Sequence, residues 1–265
     1  HRDLHSFPTR RSSDLARLPA ESTRQRVVLS PTDHCNRLQT EFTRSAPNPT
    51  TLAGGSPWPW FRGQERSAVA PTSLSLAETW PADGPPRRWE VALGDGHAGP
   101  AVSDGAVYVL DYDEAGRRDV LRCLDLADGS EVWQRSYPVT IKRNHGISRT
   151  VPAVSADAVV SFGPMCHVMC VDRLSGDLRW GLDLVRDYGT TTPLWYAAQC
   201  PLIDNGLAII APCGADLLMA VDCQDGRVVW RTPNTAGWRM SHSSVVVMHF
   251  GGRRAFVYAA LGGIA

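Results

Sequence analysis

Apolar residues in this chain come in short alternating runs, each closed by Gly, Asp, Asn or Pro, and the runs recur. Pro100-Ala-Val-Ser-Asp-Gly105-Ala-Val-Tyr-Val, Pro152-Ala-Val-Ser-Ala-Asp157-Ala-Val-Val-Ser and Pro201-Leu-Ile-Asp-Asn-Gly206-Leu-Ala-Ile-Ile have one plan: strand, tight turn, strand. Asp-Gly and Asn-Gly supply the positive φ that short hairpins need. Ser244-Val-Val-Val-Met opens a further copy, with Gly251-Gly252 at its turn.

A second hairpin follows each first one. Leu121-Arg-Cys-Leu, Val168-Met-Cys-Val and Leu218-Met-Ala-Val alternate as half-buried strands do. Each leads into an Asp-x-x-x-Gly-x-x-x-Trp motif: Asp125, Gly129, Trp133; Asp172, Gly176, Trp180; Asp222, Gly226, Trp230. The Asp side chain is suited to accept turn amides, and Gly to take the left-handed position. Trp then opens an outer strand, where a large ring fills the gap between neighbouring units. Cys123, Cys170 and Ala220 share one position, and a small residue there implies a crowded inner face.

The tryptophans stand 47 and 50 residues apart, and Trp89, 44 residues before Trp133, fits as a degenerate first copy with its own leading strand. Four strands every 44–50 residues are propeller blades. No apolar 3.6-residue period runs long enough for a helical repeat. The fold expected is all-β: a propeller fragment of four-stranded antiparallel blades. About three are complete from Gly99 to near Asn234, and they form an open arc rather than a closed ring.

The ends read differently. His5–Leu15, HSFPTRRSSDL, looks like a translated sequencing-library adapter, and the first methionine is Met165. Residues 16–56 are rich in Arg, Thr, Pro and Ser without a sustained period. Residues 1–56 are therefore expected to be disordered or artefactual, with the partial propeller over 57–265 and both ends cut.

Composition narrows the function classes. Twenty-seven basic and 27 acidic residues cancel, which argues against a nucleic-acid binder. Lys142 is the only lysine, as codon pressure in a GC-rich genome would produce. No run approaches the roughly 20 apolar residues of a membrane span. No phosphate loop, metalloprotease helix or nucleophile elbow is present. Cys166-His167-Val-Met-Cys170 has soft ligands but lacks the second half of a tetrahedral site, so packing is its favoured role. Seven cysteines without framework spacing do not suggest a disulfide scaffold.

The connections after each Trp vary in length, and function tends to reside in such loops. They carry Arg143, His145 and Arg149; Asp187, Tyr188, Trp195 and Tyr196; and Trp238, Arg239 and His242. They should gather at one end of the propeller. Arg149, Trp195, Trp238 and His242 are candidate binding residues for an anionic or planar ligand, although solvated or locally packed roles are favoured.

The motif at this spacing resembles the repeat by which tryptophans dock in the pyrroloquinoline-quinone-like (PQQ-like) propellers. Trp58-Pro-Trp60-Phe-Arg-Gly63 and Gly99-Pro-Ala-Val-Ser-Asp-Gly-Ala-Val-Tyr-Val-Leu110 resemble an exported bacterial, non-dehydrogenase subgroup, similar to the outer-membrane-assembly lipoprotein propellers. The resemblance covers about Trp58 to Ala265. It implies a non-catalytic scaffold or binding module, periplasmic or otherwise outside the cytoplasm, monomeric when full length, with a protein or small ligand at its loops. The alternative it implies is a quinoprotein alcohol dehydrogenase holding PQQ and Ca²⁺ at the ring axis. Those enzymes carry a vicinal Cys-Cys disulfide, and no two of the cysteines here are adjacent.

Overall fold

The computed structural model describes residues 38–49, 57–70, 77–142 and 147–265. Strands dominate. β1 (Glu41–Arg44) comes first, followed by β2 (Ala101–Ser103), β3 (Ala106–Asp113), β4 (Arg118–Asp125) and β5 (Glu131–Pro138). β6 (Ala153–Val154), β7 (Ala158–Phe162), β8 (His167–Asp172) and β9 (Leu178–Asp183) follow, then the short helix α1 (Leu184–Tyr188). β10 (Leu202–Asp204), β11 (Leu207–Ile210), β12 (Asp216–Asp222) and β13 (Val228–Pro233) make the next set. The hairpins β14 (Val246–Phe250)–β15 (Arg253–Val257) and β16 (Ala259–Ala260)–β17 (Gly263–Ile264) end the chain. β2–β5, β6–β9 and β10–β13 are three antiparallel meanders, each paired in chain order. These are three complete propeller blades with a fourth begun, arranged as an open arc.

The motif turns are built alike. Asp125 Oδ1 accepts from the Ala127 amide at 2.7 Å, Asp172 Oδ1 from the Leu174 and Ser175 amides at 3.0 and 2.9 Å, and Asp222 Oδ1 from the Gln224 amide at 2.8 Å. The motif glycines have φ of +75°, +73° and +75°. Each blade also has a β-bulge at the same repeat position: pairing slips after Cys123↔Trp133, Cys170↔Trp180 and Ala220↔Trp230. One extra outer-strand residue therefore precedes each Trp. The small residue on the inner strand is the direct cross-strand partner of the indole, which is why it must be small.

The core lies between blades. Tyr108, Leu121 and Trp133 of the first blade pack with Val159, Met169 and Val171 of the second. The alternate residues Val160, Val168 and Cys170 turn the other way and join Ile209, Met219 and Val221 of the third. Blade 2 is thus covered on both faces, and all five residues of β7 are buried. The half-buried strands expected from alternation are fully buried there, because blades stack on both sides.

Two further expectations are corrected. Residues 87–95 carry no strand, yet Trp89 still serves blade 1: its Nε1 donates to the Leu126 carbonyl at 2.9 Å, and its ring lies against Gly129. Within the segment 1–56, expected to lie outside the fold, β1 pairs antiparallel with β5 and gives blade 1 a fifth strand. Phe42 reaches the Trp133–Gly176 contact, and Arg135 lies 4.7 Å over the Phe42 ring. The adapter-like stretch lies outside the described residues.

Candidate functional site

The connections 139–152, 184–201 and 234–245 leave from one end of the arc. Val139 N donates to Arg117 O at 2.9 Å, Leu184 N to Cys166 O at 3.1 Å and Asn234 N to Ala215 O at 2.9 Å. Each connection therefore starts beside the central hairpin of its own blade, opposite the Asp–Gly turns. Successive connections also touch: the Tyr196 hydroxyl donates to the Lys142 carbonyl, Val151 N contacts Cys200 Sγ at 3.3 Å, and Cys200 N donates to Ser244 Oγ at 3.0 Å.

The middle connection is anchored along its length. Asp183 caps α1 by accepting from Arg186 N, and Gly189 closes it in the left-handed region. Thr190 Oγ1 donates to Pro212 O at 2.8 Å. Buried Gln199 exchanges two hydrogen bonds with Ala211, at 3.0 and 2.7 Å. Between these anchors Leu194 is 76% exposed and Trp195 41% exposed.

The sequence candidates fall on this end with different surroundings. Arg149 is half-buried and His242 exposed. Trp238 lies across Gly262 and Gly263, and its amide donates to Asn234 Oδ1 at 2.9 Å, so it packs the fourth blade. Tyr196 is buried; Asp187 pairs with Arg186; Tyr188 contributes its carbonyl to Ala215 N; Arg239 exchanges backbone hydrogen bonds with Leu261. Arg143 and His145 lie outside the described residues. Six cysteines are described, all buried and free, while Cys35 lies outside. Cys166 is buried, and the His167 ring packs against Tyr137 of the neighbouring blade. Among the described residues, no group of three or more His, Cys, Asp or Glu side chains could hold a metal ion. No described helix is long and apolar enough to cross a membrane.

Two features escape sequence reasoning. The first is a polar cluster between blades 1 and 2. Asp119 is 1% exposed, and its Oδ2 accepts from the Tyr137 hydroxyl at 2.5 Å. A Cβ on Gly163 would stand 2.0 Å from Tyr137 Oη and 2.6 Å from Asp119 Oδ2, so only glycine fits. The Tyr137 ring meets that of His167 at 5.0 Å. Burial raises the Asp119 carboxyl to about 7, against the opposing Tyr137 hydrogen bond, and burial lowers His167 despite nearby Asp183. The available signal was parity: residue 119 shares a strand face with apolar Leu121 and Cys123.

The second is the segment 57–66, which crosses the first strands of three blades. Trp58 pairs with Val102 through two backbone hydrogen bonds, Pro59 O accepts from Val154 N at 2.8 Å, and Arg66 Nη2 donates to Ile203 O at 2.8 Å. Arg66 also lies 4.8 Å over the Trp60 ring. Cavities of about 390 and 460 Å³ flank Trp60. One opens toward Asp104 and Asn205, the other toward Arg62, Leu202 and His249.

Meander blades, a motif turn in each and an indole wedged between neighbours define a PQQ-like β-propeller. A family model described as outer membrane protein assembly factor BamB matches residues 50–195 and 117–265, and the chain belongs to that family. No curated protein sequence matches it. Among solved structures, BamB from Moraxella catarrhalis is 17% identical with a TM-score of 0.47, over 67% of this chain and 50% of that one. The quinohemoprotein alcohol dehydrogenase ADHIIG of Pseudomonas putida is 20% identical with a TM-score of 0.40, over 62% of this chain and 31% of the enzyme. That of Comamonas testosteroni is 18% identical with a TM-score of 0.41, over 62% and 32%. The chain thus spans half or less of the length of these structures.

Proposed function

We propose that the chain is a non-catalytic propeller module that binds a protein partner outside the cytoplasm through its loop-bearing end. One observation carries this reading: Leu194 and Trp195 stand exposed at the tip of a connection whose flanks are buried and hydrogen-bonded. Adjacent exposed apolar side chains on a fixed loop suit a partner contact, and aromatic anchors on rigid supports are what protein interfaces use. Membership of a family described as an outer-membrane assembly factor supports both the scaffold role and the extracytoplasmic setting.

The test uses the whole chain, immobilised, with extracytoplasmic extract from a bacterium that encodes it. Specific partners should be retained, and the Leu194→Ser/Trp195→Ser double variant should release them while melting like the parent. Retention unchanged by that variant would refute the loop-face reading. Adding PQQ and Ca²⁺ and following alcohol-dependent dye reduction tests the catalytic alternative; turnover would overturn the non-catalytic one.

A further inference from the structure

Cys170, on β8, and Cys223, just after β12, belong to neighbouring blades and are both buried. The Cys170 thiol donates to the Cys223 carbonyl oxygen at 3.4 Å. Their meeting follows from the repeat. Cys170 occupies the small position opposite the blade's Trp, and Cys223 the position after the motif Asp in the next blade. One blade earlier the same two positions hold Cys123 and Arg173, which line a common cavity, and Tyr108, paired with Cys123, donates its hydroxyl to the Arg173 carbonyl at 3.3 Å. Blade stacking brings these positions together each time. Between blades 2 and 3 both are cysteine.

We propose that Cys170 and Cys223 form a reversible disulfide that staples blade 2 to blade 3. The Cys170 sulfur already lies within hydrogen-bond reach of the Cys223 backbone, and rotation about the two Cα–Cβ bonds sets the sulfur–sulfur geometry a disulfide requires. One cysteine thiolate attacks a small oxidised disulfide, such as glutathione disulfide, and displaces one thiol. The second cysteine then attacks the mixed disulfide and displaces the other. The two protein thiols lose two protons and two electrons, and the oxidant becomes two thiols. Burial disfavours the Cys170 thiolate, so the bond forms during folding or on opening of the blade contact. It lies at the motif-turn end, away from the connections that carry Leu194 and Trp195, and does not depend on their role.

The test refolds the reduced full-length chain in glutathione buffers of increasing oxidised fraction, followed by alkylation, trypsin digestion and mass spectrometry. A linked pair of peptides 150–173 and 187–227, two hydrogens lighter than the reduced pair, is expected. Those peptides also hold Cys166, Cys200 and Cys213, whose serine variants should keep the link. Cys170→Ala and Cys223→Leu should each abolish it; Ala220 and Leu126 occupy the equivalent positions, so both changes suit the fold. The oxidised chain should have a higher urea midpoint that dithiothreitol reverses. A chain fully reduced in oxidising buffer, or a link that survives Cys170→Ala, would overturn the proposal.

Discussion

Gly176 has two jobs, and substitution can separate them. Its φ of +73° disfavours any side chain, and a Cβ would stand 2.7 Å from Phe42 and 2.8 Å from Trp133. Gly206 shares the positive φ, +75°, with open space around it. Gly206→Ala should cost about 1–2 kcal/mol for the left-handed backbone alone. Gly176→Ala should cost about 1–3 kcal/mol more for the clash, and urea melts of the two variants measure the difference. Asp119 gives a pH prediction. Its folded value is raised, so its contribution is complete below the ordinary carboxylate value of 3.8 and is lost as pH rises through about 7. That shift corresponds to about 4 kcal/mol across the window. His167, lowered by burial, works in the opposite sense below its ordinary value of 6.5. Asp119→Asn should flatten the fall in stability between pH 5 and pH 8; an unchanged profile in parallel melts would refute the assignment. The motif residues were legible because the partners of Asp and the φ of Gly are local. Asp119 was not, because Gly163 and His167 come from the next blade.

At the scale of the element, the four-strand meander is encoded within each repeat. Turn pairs and alternation place the hairpins, and the spacing from Gly to Trp accommodates one bulge residue. What alternation does not report is the second covered face of blade 2. Trp180 is fully buried at that blade's edge with the third, and Trp180→Ala should cost about 3–5 kcal/mol. A thermal melt unchanged by that substitution would exclude an interblade packing role. β1 was invisible for a different reason: four residues without a clear apolar pattern pair because β5 offers an unpaired edge, and Phe42 and Arg44 find partners across the blade boundary. Phe42→Ala should therefore speed hydrogen exchange in β1 and the facing amides of β5, while leaving β12 and β13 protected; uniform exchange rates would argue against local anchoring.

For the whole molecule, stacking decides both stability and liability. Three blades share two continuous cores, but the fourth leaves apolar side chains in water: Phe250 is 83% exposed, Ile264 73% and Met248 47%. Among the described residues β14 pairs only with β15, which leaves its other edge open beside them. Apolar surface beside a free edge promotes edge-to-edge association. Sedimentation velocity at rising concentration should show self-association, and Phe250→Lys should reduce it. The connections meet at one end because every blade leaves its last strand beside its own central hairpin, so the loop-bearing end arises from repetition.

The sequence alone determined the blade: hairpin positions and motif turns rest on pairings within one repeat, and the Trp spacing and the all-β class on the recurrence of that repeat. It also placed the variable connections in three equivalent positions. The tertiary structure decided what lies across blades. It seats Trp89 on Gly129 without a strand, buries Asp119 against Tyr137 and Gly163, threads Trp58–Arg66 over three strand edges and brings Cys170 to Cys223. The division has one physical cause. Backbone turns and side-chain alternation are local, whereas the identity of a buried neighbour depends on how two blades, some 50 residues apart in the chain, come to share a core.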